Sequence, residues 1–105
     1  MDIFKQLFVE DNTPEENLTF SDCIQCAKGA LHMKEYDNGI YHCNLALKMN
    51  SENPEPYLHR GYLNLKKGNK TNAIEDWTKA VQLSQAKSFW REIGQQARQM
   101  LQQYS

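Results

Sequence analysis

The chain has 105 residues, of which 40% are hydrophobic, and its formal net charge is −1 at pH 7. This length and composition predict a single folded domain with its own core, and the near-neutral charge argues against nucleic acid or an anionic membrane as a partner. Three cysteines, no recognisable secretory signal and no apolar run of membrane-spanning length predict a reduced, cytoplasmic protein.

The first 19 residues are predicted to form a helical segment and a linker ahead of the repeats. Ile3, Phe4, Leu7 and Phe8 recur at helical spacing, so a helix here would carry one bulky apolar stripe. Three sites could bury that stripe: the free edge of the first helical hairpin, the groove of the same chain, or the groove of a second molecule. We expect the first, in which the segment caps the stack.

An internal repeat with a period of 34 residues organises the rest of the chain. Residues 34–50 align with residues 68–84, and apolar positions fall on apolar positions. Each unit contains two helical stretches joined by a short turn, which allows only an antiparallel helical hairpin. The predicted units are residues 20–53 and 54–86, and residues 87–105 add a last helix.

Proline and glycine mark the helix boundaries of the second unit. Its first helix is predicted over residues 56–67, with Gly68 as the C-cap. A second helix is predicted to begin at Thr71 or Asn72, because apolar residues then recur at three- and four-residue steps. The first unit follows the same plan, with its turn at residues 36–38.

These helical hairpins resemble the tetratricopeptide repeat, whose period is also 34 residues. The positions that match the family's packing pattern are Ala27, Gly39, Cys43, Ala46, Gly61, Ala73, Trp77 and Ala80. Small residues at a helix crossing let two helices approach closely. Arg60 departs from the pattern, which has leucine there. The resemblance implies an all-α fold of about six helices, in which antiparallel hairpins stack into a short right-handed solenoid.

Cys23 and Cys26 form a Cys-x-x-Cys pair, which could hold a metal, act as a redox pair or lie in a helical core. In the repeat register both fall on packing positions, as does Cys43. A zinc site would need two further ligands, and His42 points about 100° away from Cys43 around its helix. We therefore predict three buried thiols and no metal or other cofactor.

The histidines give no sign of catalysis. The three of them lie on different predicted helices, and no nucleophile–base spacing accompanies them. We therefore predict that the protein is not an enzyme.

The family resemblance implies that the first helix of each hairpin lines a concave face on which a partner binds. The residues predicted to face this groove are Ile24, Lys28, His32, Leu58, His59, Tyr62, Lys66, Arg91, Gln95 and Arg98. They combine apolar and aromatic surface with basic side chains, so we expect a protein or peptide partner with apolar anchors and an acidic group. The alternative is an ordinary solvated helix surface.

One subgroup of the family clamps the C-terminal carboxylate of heat-shock chaperones with lysine, asparagine and arginine side chains. At the matching positions this chain has Ile24, Lys28, His59, Ser88 and Glu92, so that clamp is missing. A chaperone-tail adaptor is therefore disfavoured, and other modes of peptide recognition stay open.

Self-association is the second function that the sequence supports. The last helix carries an apolar stripe with Met100 beside it, which suits a capping helix and, at its uncovered edge, a homodimer interface. We favour a protein-interaction module that binds through the concave face, with a structural subunit that dimerises through its terminal helices as the alternative.

Overall fold

A computed structural model describes residues 17–105 as an all-helical body. Its helices are α1 Phe20–His32, α2 Tyr36–Met49, α3 Glu55–Lys67, α4 Lys70–Ser84 and α5 Arg91–Tyr104, with a short 3-10 helix at Ser88–Trp90 before α5. No strand occurs within these residues, so the predicted all-α class is confirmed for this part of the chain. The predicted N-terminal helix, its apolar stripe and its capping role lie outside the described residues.

The five α-helices pack in a regular order. Each helix contacts the next one along the chain, and α3 also contacts α1 on one side and α5 on the other. The helices α1, α3 and α5 therefore lie side by side, while α2 and α4 each pack against two of them. Because short connections join consecutive helices, these neighbours run antiparallel.

Local hydrogen bonds explain where α1 begins. The Thr19 side chain accepts from the backbone amide of Asp22, whose carboxylate accepts in return from the backbone amide of Thr19, both at 3.0 Å. This reciprocal pair is a capping box, which satisfies two amides that the helix itself leaves unpaired. The hydrogen bond from the Thr19 amide, with a smaller contribution from the Thr19 side chain, lowers the pKa of Asp22.

The end of α3 confirms the predicted glycine cap. Gly68 has φ 98°, a left-handed conformation that glycine adopts without strain, and the amide of Asn69 reaches back to the carbonyl of Asn64 at 2.8 Å. The next helix begins at Lys70, just before the predicted start at Thr71 or Asn72.

The predicted turn at residues 36–38 is wrong, because α2 already begins at Tyr36. The chain reverses just before it, where Lys34 takes a left-handed φ of 63°. The Glu35 amide donates to the Ala30 carbonyl at 2.8 Å, which closes the end of α1.

Helix α3 packs on α4 around one fully buried indole. Trp77 is 0% exposed, and its Nε1 donates to the carbonyl oxygen of Leu58 at 3.3 Å. Gly61 lies directly against this ring, since a Cβ there would be 2.6 Å from Cδ1 of Trp77. The predicted small residues at helix crossings are all buried: Ala27, Gly61, Ala73 and Ala80.

The cysteines follow the prediction of buried thiols in two cases of three. Cys23 and Cys43 are fully buried, and burial raises the pKa of the Cys43 thiol to about 12. Cys26 is only half-buried, so the prediction that its thiol is buried is wrong. Three residues turn a helix by about 300°, which moves Cys26 to the edge of the face that Cys23 occupies.

Candidate partner-binding site

Two residues predicted to line the groove belong to the core instead. Ile24 and Leu58 are 3% and 2% exposed. Leu18 and Phe20 pack against the cluster that contains Ile24, whereas Leu58 packs beside Trp77. Because neither side chain can touch a partner without repacking, we correct the prediction at these two positions. Both side chains pack in the core beneath the predicted groove.

A second set of predicted residues gathers around Glu55. Nε2 of His59 lies 3.6 Å from Oε2 of Glu55, and the ring centroids of His59 and Tyr62 are 6.2 Å apart. The side-chain contact with His59 is the main cause that lowers the pKa of Glu55, and the charge of Lys28 adds to it against the effect of burial. Lys28 on α1 and Glu55 on α3 are thus close enough to interact across the contact between these helices.

Tyr62 is held in place by an aromatic series that crosses the molecule. Its ring meets Trp77 edge-on at 6.0 Å, and Trp77 stacks on Tyr104 of α5 at 6.0 Å. Partial burial raises the pKa of Tyr62. Such pairs each stabilise by about 0.5–1.5 kcal/mol beyond their burial, so the partly exposed Tyr62 ring is a fixed feature of the surface.

A third set of predicted residues lies at the junction of α4 and α5, around a cavity of ≈ 330 Å³. The side chains that line this junction cavity are Ser84, Gln85, Lys87, Ser88, Arg91 and Arg98. Arg91 and Arg98 were predicted for the groove, whereas Lys87 is a further cation that sequence reasoning missed. The adjacent Phe89 is 73% exposed.

The remaining predicted residues are exposed and separate. Within residues 17–105, no hydrogen bond, ion pair or ring contact joins His32, Lys66 or Gln95 to the other predicted positions. The structure therefore brings the predicted groove together as two groups, one around Glu55 and one around the junction cavity.

Most of the basic residues predicted for the groove form no ion pair with the residues that the structure describes. The ion pairs in the described part of the chain are Arg60–Asp76 and Asp37–Lys67, and Glu55–His59 becomes a third when the imidazole is protonated. The basic groove residues without an ion pair there are Lys28, Lys66, Arg91 and Arg98.

Sequence reasoning also missed a polar cluster around Arg60. The guanidinium donates from Nη2 to Oδ1 of Asp76 at 2.7 Å and from Nη1 to Oδ1 of Asn44 at 2.8 Å, while Nδ2 of Asn64 donates to Asp76 at 3.0 Å. Asp76 is only 5% exposed. The cluster joins α2, α3 and α4, and the hydrogen bond with Asp76 raises the pKa of Arg60. The one sign of this cluster in the sequence was Arg60 itself, which stands where the tetratricopeptide pattern has leucine.

No family model, no curated protein and no solved structure matches this chain. In the part that the structure describes, no group of three or more His, Cys, Asp or Glu side chains is placed to hold a metal ion. None of the helices described is long and apolar enough to cross a membrane.

Proposed function

We propose that the chain is a non-enzymatic interaction module that binds an acidic peptide or protein through the side formed by α1, α3 and α5. The observation that carries this proposal is the pairing of a fixed aromatic surface at Tyr62 with cations that lack ion-pair partners. Lys28 lies beside the Glu55 group, and Arg91 and Arg98 line the junction cavity.

The physical basis is a partly exposed aromatic ring on α3 together with exposed cations on α1 and α5. Tyrosine is a frequent binding hot spot, because its ring buries much apolar area with few rotatable bonds. Each exposed cation on these helices adds about 0.2–1 kcal/mol when an acidic group approaches it. They mainly set specificity and association rate, so binding should weaken as salt increases.

The packing of the helices supports the proposed relation to tetratricopeptide repeats. On this proposal, α1–α2 and α3–α4 are two repeat hairpins, α5 caps them, and the stack is a short right-handed solenoid in the cytoplasm. Contacts of α3 with both α1 and α5 are what such a stack requires. The side formed by these three helices is then the concave one.

Self-association through α5 has less support. Ala97 of its apolar stripe is fully buried, and Ile93, Leu101 and Tyr104 pack against the core cluster around Trp77. The stripe is therefore largely occupied within the chain itself.

A random peptide library displayed on phage tests the proposed function. We expect selected peptides to be rich in aspartate or glutamate beside an aromatic or aliphatic residue. The double variant Lys28→Glu, Tyr62→Ala should bind them about tenfold more weakly or worse. The matched control Lys79→Glu changes an exposed lysine on α4 and should bind like the wild type. Selected peptides without acidic residues, or equal binding by the double variant, would contradict the proposal.

A further inference from the structure

We infer that the junction cavity between α4 and α5 binds the carboxylate group of the peptide partner, and that Phe89 contacts an apolar side chain next to it. This inference rests on the proposed function and locates the acidic group within the module. It assigns a binding role to Lys87, Ser88 and Phe89, which lie outside the predicted groove.

The lining of the junction cavity is positively charged. Lys87, Arg91 and Arg98 line the junction cavity, and no acidic residue lines it. None of the three forms an ion pair within residues 17–105. Like charges around one cavity repel each other, and a bound anion would relieve that repulsion. Glu92 follows Arg91 but lies about 100° further around the helix, and it does not line the cavity.

The neutral side chains of the cavity add directional donors. The Ser84 hydroxyl already donates to the carbonyl of Val81 at 2.7 Å, so Ser88 and Gln85 are the neutral groups left to donate to a ligand. An arginine side chain can in addition grip a carboxylate with two parallel N–H groups. The lining therefore suits an oxyanion.

Close packing makes one wall of the cavity rigid. Gly94 lies against Ser84, since a Cβ on Gly94 would be 2.9 Å from Cβ of Ser84. Because α5 is held this close to α4, Arg91 and Arg98 start from fixed backbone positions on either side of Gly94. A preformed site of this kind loses less entropy when it binds.

The exposed ring of Phe89 favours a peptide carboxylate over a free inorganic anion as the ligand. It has the largest exposed fraction, 73%, among the large hydrophobic side chains that the structure describes. Its ring is braced edge-on by Trp90 with centroids 5.3 Å apart. An inorganic anion would leave this aromatic surface in water, whereas a peptide with an apolar residue beside its carboxylate would cover it.

The test titrates the full-length ¹⁵N-labelled chain with the capped peptide Gly-Glu-Asp-Phe-Gly and follows the backbone amide signals. We expect saturable shifts within residues 84–98. A peptide with Gln-Asn in place of Glu-Asp should bind about tenfold more weakly, because charge-assisted hydrogen bonds are lost. The double variant Arg91→Gln, Arg98→Gln should lose a similar factor, and the control Lys48→Gln on α2 should lose none.

Phe89→Ser provides an independent variant at an exposed position. It should weaken binding of the acidic peptide that contains phenylalanine, but leave unchanged the binding of the same peptide with alanine there. Unchanged binding of both peptides would overturn the assigned role of Phe89. The amide spectrum of each variant shows directly whether it is folded.

Other outcomes separate this inference from the proposed function. Shifts centred on Tyr62, with none in residues 84–98, would overturn the inference and leave the proposed function standing. No shifts with this peptide or with any library-selected peptide would overturn both. Inorganic phosphate that shifts residues 84–98 at lower concentration than the peptide would identify a phosphate site and overturn the carboxylate assignment.

Discussion

Replacing Gly61 with alanine should destabilise the protein, although alanine is the better helix former. A Cβ on residue 61 would lie 2.6 Å from Cδ1 and 2.8 Å from Cε2 of Trp77, closer than real side chains pack. The indole cannot easily move aside, because Trp77 is fully buried and donates to the carbonyl of Leu58.

Two opposing effects set the size of this change. Alanine stabilises a helix interior by about 1 kcal/mol relative to glycine. Overpacking a rigid core costs about 1–3 kcal/mol, and loss of the Trp77 hydrogen bond costs about 0.5–1.5 kcal/mol. The net expectation is a destabilisation of about 0.5–3.5 kcal/mol. Gly61→Leu should cost more, because it adds further carbon atoms at the same crossing.

Urea unfolding monitored by tryptophan fluorescence measures this change, and Gly29→Ala is the matched control. Gly29 is exposed within α1, and a Cβ there would meet nothing within 4 Å, so alanine should stabilise by about 0.5–1 kcal/mol. The two substitutions should therefore shift the midpoint in opposite directions. A Gly61→Ala protein as stable as the wild type would refute the proposed contact between α3 and α4.

Three further predictions concern the polar cluster, the thiols and pH. Asp76→Ala should cost up to about 3–5 kcal/mol, reduced by the partial exposure of Arg60, whereas the double variant Arg60→Met, Asp76→Leu should cost less, because it removes both charges and leaves only the neutral Asn64 amide without its acceptor; equal losses in urea melts would contradict this. A thiol reagent added to the native protein should modify Cys26 first, because Cys43 is buried and its pKa is raised to about 12; mass spectrometry that finds Cys43 modified first would contradict this. The pKa of Glu55 is lowered in the folded state, so its ionised form stabilises the fold above the pH range where glutamate ordinarily titrates. That stabilisation is lost as the pH falls below this range. The difference in stability between the wild type and Glu55→Gln should therefore diminish on acidification, and a difference independent of pH would contradict this.

The helices could be predicted from the sequence because their signals are local. Apolar spacing and the glycine at Gly68 placed α3 and its end close to where they lie. The turn before α2 was misplaced, since Met33, Lys34 and Glu35 are not typical turn residues and Lys34 adopts its left-handed φ only in the folded context. A boundary without glycine or proline leaves little trace in the residue types.

The candidate site was harder to predict because its side chains depend on neighbouring helices. The repeat register and the family resemblance predicted that Ile24 and Leu58 face the concave groove, but packing from adjacent elements buries them. Arg60 and Asp76 come from different helices, so no local pattern pairs them. Arg91 and Arg98 share a cavity with Ser84 and Gln85 because α4 and α5 meet at that corner.

The most direct test of the central claim is to map a library-selected acidic peptide onto the full-length chain by backbone amide shifts at low and high salt. The account predicts shifts around His59 and Tyr62 and around the junction cavity, with affinity that falls as salt rises. Shifts confined to the outer surface of α2, around the exposed Tyr41 and Met49, with affinity independent of salt, would contradict it.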